Sequence, residues 1–285
     1  MPGKRQTATV RLRRLAAELR SLRQISGLTR EEVVERTGIN VATLYRIEHA
    51  RVRPQTRTLQ TLLDLYHVDQ EQQASLIALL REARQRGWLH AYQSELPEHY
   101  TTYIGFEGEA HSVWNYESLF VPGLLQTEDY ARAVIRGVLP TASRDEVERH
   151  VEARMERQAV LRNDNPLNLW TIVDEAALRR QVGGLSVMQA QLRYLTEASE
   201  LPHVTFQVIP FNVGAHPGMP GSFALMQFAD AAIPDVIYID SMAGDLFLEE
   251  ESEIRRYTLI FEHLRAVAVS PDASVSLVAS LIAEM

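Results

Sequence analysis

Cysteine is missing from all 285 residues, which excludes disulfides, thiolate metal sites and cysteine nucleophiles. No apolar run approaches the roughly 18 to 20 residues needed to cross a bilayer, and the opening stretch MPGKRQTATVRLRR lacks the apolar core of a secretory signal. No membrane association is expected, and a cytoplasmic location is. Neither H-E-x-x-H, nor G-x-S-x-G, nor a phosphate-cradling glycine loop occurs, and His111, His150, His203, His216 and His263 fall at no metal-binding spacing. The chain is therefore expected to hold no metal and no other cofactor, and not to be an enzyme. Hydrophobic residues make up 46% and charged residues 23%, enough for a sizeable core in one or two domains and against wholesale disorder.

The formal net charge of -8 conceals an asymmetry. Residues 1–60 hold Lys4 and 12 arginines against five glutamates, a balance of +8, whereas the remainder sets 16 basic residues against 32 acidic ones. A small basic module joined to a large acidic one suggests that the first part meets a polyanion, since phosphate contacts dominate nucleic-acid affinity; a solvated basic helix is the alternative.

Leu12, Leu15, Leu19 and Leu22 recur at helical spacing, so a helix is predicted from Leu12 to about Ser26, stopped by Gly27. Leu28 follows as a core plug. Thr29 with Glu32 forms a capping box that opens a second helix ending near Thr37 and Gly38, and Asn40 caps a third. In the third helix Leu44 and Ile47 share the inner face, leaving Val41, Ala42, Tyr45, Arg46 and His49 nearer the outside. A fourth helix begins near Thr56 and a fifth runs from about Asp69 to Arg86 before Gly87. Two short helices joined by a glycine-containing turn are the helix-turn-helix signature.

The stretch GLTREEVVERTGINVATLYRIEHARVRPQTRTLQTLLDLYHVD resembles the lambda repressor and Cro-like (Xre-type) helix-turn-helix domain over roughly residues 10–68. The likeness rests on the leucine before the capping threonine, on Gly38, on Thr43 to Glu48 and on Pro54. Val34 departs from a common alanine, and Ala50 from a common glycine. The resemblance implies double-stranded DNA as partner, with Val41, Ala42, Tyr45 and Arg46 facing base edges. Arg46 then offers a planar fork suited to guanine. Arg30, Asn40, Thr43, Arg53 and Arg57 would hold phosphates. The same resemblance pairs Arg23 with Glu48 as a structural salt bridge between the first and third helices. Half-site recognition further implies a homodimer.

Beyond residue 70 the reading is a helix and packed connector over 71–100, with WLHAYQSELPEHYTTY as the connector, and then a regulatory or partner-binding domain over 101–285. In that domain SVWNYESLFVPGLLQ is extended up to a Pro122-Gly123 turn, and Leu119, Phe120, Val121, Leu124 and Leu125 read as core. Thr127 caps one helix, Ser143 with Glu146 opens another of roughly 20 residues, Asn168 to Val173 is a strand, and Ser186 to about Ser199 a helix. HVTFQVIPF, SFALMQF and DVIYID read as adjacent antiparallel strands, GDLFLEE as a further one, and two helices separated by Ser270-Pro271 close the chain. The fold class expected is thus an N-terminal all-α helix-turn-helix unit of five helices followed by an α+β domain with a mainly antiparallel sheet.

Asp174 and Glu175 stand at a strand-to-helix junction, where acidic residues cap helices more often than they do acid-base work. GAHPGMPG, with His216 between glycines, reads as a structured turn that could border a ligand or partner pocket. Several segments here, among them VPGLLQTEDYARAVI, DEAALRRQVGG and the final S-P-x-x-S, resemble the sensor-like domain that follows a Cro-like module in many actinobacterial regulators. That resemblance implies an antitoxin-like arrangement with a small cognate protein encoded nearby. The expected function is a sequence-specific, autoregulatory transcriptional repressor controlled by that partner; a small-molecule effector and a DNA-tethered enzyme are the alternatives.

Overall fold

In the computed structural model, which describes residues 10–82, 92, 96–230, 233–241 and 244–285, the chain divides into two compact units. The first carries α1 (Val10–Ile25), α2 (Arg30–Thr37), α3 (Val41–Glu48), α4 (Thr56–Leu65), α5 (Gln70–Glu82) and most of α6 (Glu98–Glu107). Local chemistry sets the boundaries. Gly27 and Gly38 take left-handed backbone at φ 68° and 73°, which a side chain would strain, so α1 and α2 stop there. Thr29 and Glu32 form the reciprocal capping box, and the Asn40 side chain accepts from the Ala42 amide. Leu15 and Leu19 of α1, Val33 of α2, Leu44 and Ile47 of α3, and Leu59, Leu62 and Leu63 of α4 form one core, closed by Leu76 and Leu80 of α5.

Gly87, the expected end of the fifth helix, and residues 88–91 and 93–95 of the connector lie outside the described residues. The connector reading needs correction at its end, where Glu98–Glu107 is helical. Tyr100, Tyr103, Ile104 and Phe106 share one side of this helix, but the repeat spans only about two turns, too short to stand out as a 3.6-residue pattern in the sequence.

The second unit is built on a six-stranded sheet in the order β3-β2-β1-β4-β5-β6, from β1 (Ser112–Glu117), β2 (Asn168–Asp174), β3 (Val204–Ile209), β4 (Phe223–Gln227), β5 (Val236–Ile239) and β6 (Leu246–Leu248). The helices α7 (Glu128–Val138) and α8 (Arg144–Arg157) separate β1 from β2, and α9 (Glu175–Arg179) and α10 (Leu185–Ala198) separate β2 from β3. Helices α11 (Glu251–Val267) and α12 (Pro271–Glu284) follow the last strand. The fold class is the expected one: three of the five strand pairings are antiparallel and two parallel.

One pairing differs from the sequence reading. The strand of HVTFQVIPF does not lie beside that of SFALMQF; it runs parallel to β2 at the sheet's edge, while β4 pairs with β1. Helical crossovers enforce parallel pairing, and proximity in sequence then misleads. On one face Trp114, Tyr116, Trp170, Ile172, Phe223, Leu225 and Ile237 pack with Phe261 and Leu264 of α11. Of the expected apolar patch, Val121, Leu124 and Leu125 are buried, but Leu119 is half-exposed.

Candidate nucleic-acid interface

Helix α3 divides cleanly. Leu44, Ile47 and Glu48 are buried, while Val41, Ala42, Tyr45 and Arg46 are exposed and lie on the opposite side of the same two turns. Asn40 is exposed at its N-terminus and Thr43 half-buried between the two faces. Arg46 lies along its own helix, donating from Nε to the Ala42 carbonyl at 3.2 Å and from Nη2 to Thr43 Oγ1 at 3.2 Å. Arg53 is exposed just before α4, and Arg57 is exposed in its first turn.

What fixes α3 is the carboxylate of Glu48, which is wholly buried. Arg23 of α1 donates to it from Nε at 2.6 Å and from Nη2 at 3.3 Å, and also reaches the Leu28 carbonyl at 2.9 Å. Arg30, the first residue of α2, donates from Nε at 2.7 Å to Oε2, the oxygen that also accepts from Arg23 Nη2. One carboxylate thus ties three helices, and such a pair is costly to break because the survivor is left charged in the interior. Nearby, burial and then the charge of Glu48 push the Tyr66 phenol well above its ordinary range.

Tyr45 stands at the centre of a cationic group. Its ring stacks on His49 at 3.9 Å between centroids, and the guanidinium carbons of Arg30 and Arg51 lie 5.2 and 5.6 Å from its centroid. Arg51 was not among the residues picked out by sequence reading. The signal for it was present in ARVRP, where the chain turns immediately after α3 and keeps its next arginine close to the helix.

In the second unit Asp174 accepts from the Ala176 amide as the N-cap of α9, and its other oxygen lies 3.2 Å from His216 Nε2. The His216 side chain is almost fully buried and meets the Tyr116 ring edge-on at 6.0 Å. Gly218 of the same loop lies so close to Tyr116 that a Cβ would come within 2.6 Å of its ring. Glu175 is buried and accepts from Arg179 Nε at 2.6 Å and the Phe211 amide at 2.8 Å. Beside it is an open groove of about 580 Å³ lined by Glu175, Pro210, Phe211, Asn212, Val269, Ala273, Ser276, Leu277 and Ser280. Desolvation pushes the Glu117 carboxyl up to about 7, against hydrogen bonds from Ser222 and Asn115 and the charge of Arg157. No cluster of three or more metal-ligating side chains occurs among the described residues, and no single helix there is long and apolar enough to cross a membrane.

Two protein families match the chain. A helix-turn-helix domain covers residues 14–76, and a domain of unknown function, DUF5753, covers residues 100–280. No curated protein and no solved structure matches. The first unit is therefore a helix-turn-helix DNA-binding domain, and α2, the Gly38 turn and α3 are the motif itself.

Proposed function

Because the chain belongs to the family defined by the domain of unknown function DUF5753 and carries a helix-turn-helix domain ahead of it, we propose that it is a sequence-specific, autoregulatory transcriptional repressor controlled through residues 101–285. The observation that carries this reading is the exposed face of α3: Val41, Ala42, Tyr45 and Arg46 project from a helix whose other side is anchored by a buried carboxylate and two arginines. A solvent-facing short helix held this rigidly suits major-groove entry, with Asn40, Thr43, Arg53 and Arg57 available to phosphates. The Cro-like subtype, a two-fold dimer on paired half-sites, a cytoplasmic location and control by a small cognate protein in an antitoxin-like arrangement belong to the same proposal. So does the absence of catalysis.

A second reading has its own support. The groove beside Glu175 has the size of a small-molecule site, and its open form suits an effector that binds weakly and reversibly.

The deciding experiment is binding of the full chain to the DNA upstream of its own gene across a salt series, for wild type and Arg46→Ala. Wild type is expected to prefer that duplex over random DNA with a steep salt dependence, and Arg46→Ala to lose preference by about 1 to 3 kcal/mol with its helicity intact. Indifference of the wild-type chain to duplex DNA would overturn the proposal.

A further inference from the structure

We propose that Arg30 is a positioning residue that sets the specificity of Tyr45, and does not serve as a phosphate clamp. The inference rests on the DNA-binding reading above and sharpens the part of it that concerns base selection. Arg30 leads α2, the helix before the turn, where an arginine is readily taken for a backbone contact. Its guanidinium is already engaged twice. Nε donates to the buried Glu48 carboxylate at 2.7 Å, and the same planar group lies 5.2 Å from the Tyr45 ring centroid.

These two contacts constrain different things. The bond to Glu48 fixes the start of α2 against the end of α3, and so fixes the angle between the helices on either side of the turn. The contact with Tyr45 restricts a side chain that is 38% exposed and placed among the base-facing residues. With His49 stacked at 3.9 Å and Arg51 also beside the ring, Tyr45 is held before any DNA arrives. A side chain ordered in advance loses less rotamer freedom on binding, so the benefit goes to the duplex whose bases fit that one orientation. A planar guanidinium can bond a carboxylate along its edge and cover a ring with its face; an ammonium cannot do both. A phosphate, by contrast, needs mainly the charge.

That difference supplies the test. A duplex is selected from a random library by the full wild-type chain, and affinities for it and for a scrambled duplex are measured over a salt series for wild type, Arg30→Lys, Arg30→Ala and Tyr45→Leu. Arg30→Lys and Arg30→Ala are each expected to weaken binding to the selected duplex roughly tenfold, with scrambled-duplex affinity and the salt slope unchanged. In the Tyr45→Leu background Arg30→Lys should have no further effect, because the two residues act as one unit. The proposal is overturned if Arg30→Lys binds like wild type, or if Arg30→Ala lowers the salt slope by about 1 on both duplexes, the mark of a phosphate contact. Should Arg30→Ala lose its helical circular dichroism, Arg30→Lys and the Tyr45→Leu pair decide the matter. If the wild-type chain enriches no duplex at all, the DNA-binding reading fails first, which is a separate result from selective binding that ignores Arg30.

Discussion

Each unit buries an arginine paired through two nitrogens with a carboxylate, and the two pairs are embedded differently. Arg23 and Glu48 are 25 residues apart and join α1 to the last helix of the motif, with Arg30 as a third member partly open to solvent. Arg157 and Glu107 are 50 residues apart and enclosed, at 6% and 1% side-chain exposure, with Gly123 so close that a Cβ there would come within 3.1 Å of Arg157 Nη1. The first pair orders the helix whose outer face is proposed to meet DNA; the second orders an interior. Removing one member of either leaves a buried charge, so Glu48→Ala and Arg157→Ala are each expected to cost about 3 to 5 kcal/mol. The comparison would be sharpened by hydrogen exchange read peptide by peptide. Glu48→Ala should lose protection over residues 10–82 and Arg157→Ala over the sheet and its helices. A Glu48→Ala protein with undiminished helicity and protection in its first unit would remove the structural role of that pair.

Two carboxyls, one in each unit, respond to pH in opposite directions. Glu32, at the start of α2, is held below its ordinary value by hydrogen bonds from the Thr29 backbone and side chain, so what it contributes is present above that value and lost as pH falls. Glu117 goes the other way. Its folded carboxyl keeps a proton up to about 7 against an ordinary value of 4.5, so its contribution is full below about 4.5 and is lost as pH rises to 7 and beyond. Glu117→Gln is therefore expected to leave stability at pH 4.5 nearly unchanged and to raise it at pH 8 by on the order of 2 kcal/mol relative to wild type. Urea unfolding of both proteins across this range checks it, and parallel profiles would mean that Glu117 ionises freely in the folded chain.

The first unit was legible almost residue by residue. Its caps are i to i+3 contacts, its stops are glycines at positive φ, and its core follows one helical period, so every signal lies within a few residues of what it determines. The second unit was legible in its elements but not in their neighbours. The strands were found, yet β3 was set beside β4, because nothing within Val204–Ile209 reveals that α9 and α10 return it parallel to β2. Helix α6 escaped because its apolar side, Tyr100 to Phe106, runs for only about two turns. At the interface, the exposed face of α3 could be read from the motif, but the second engagement of Arg30 could not, since it depends on Glu48 18 residues away being turned inward.

The smallest expected effect tests how far that local legibility reaches. Where glycine is common after a recognition helix this chain has Ala50, and the backbone there still takes the left-handed conformation, at φ 53°. The turn is held by hydrogen bonds from the Ala50 amide to the Ile47 carbonyl at 3.0 Å and from the Arg51 and Val52 amides to the Arg46 carbonyl, which offset the strain. Left-handed backbone costs a residue with a Cβ about 1 to 2 kcal/mol, and glycine offsets part of this relief through the extra freedom it gains unfolded. Ala50→Gly is thus expected to stabilise the first unit by about 0.5 to 1 kcal/mol without changing DNA affinity by more than about twofold, as thermal unfolding and duplex titration would measure. A loss of stability would mean that the Ala50 methyl, buried at 8% exposure, contributes more by packing than its backbone loses by strain.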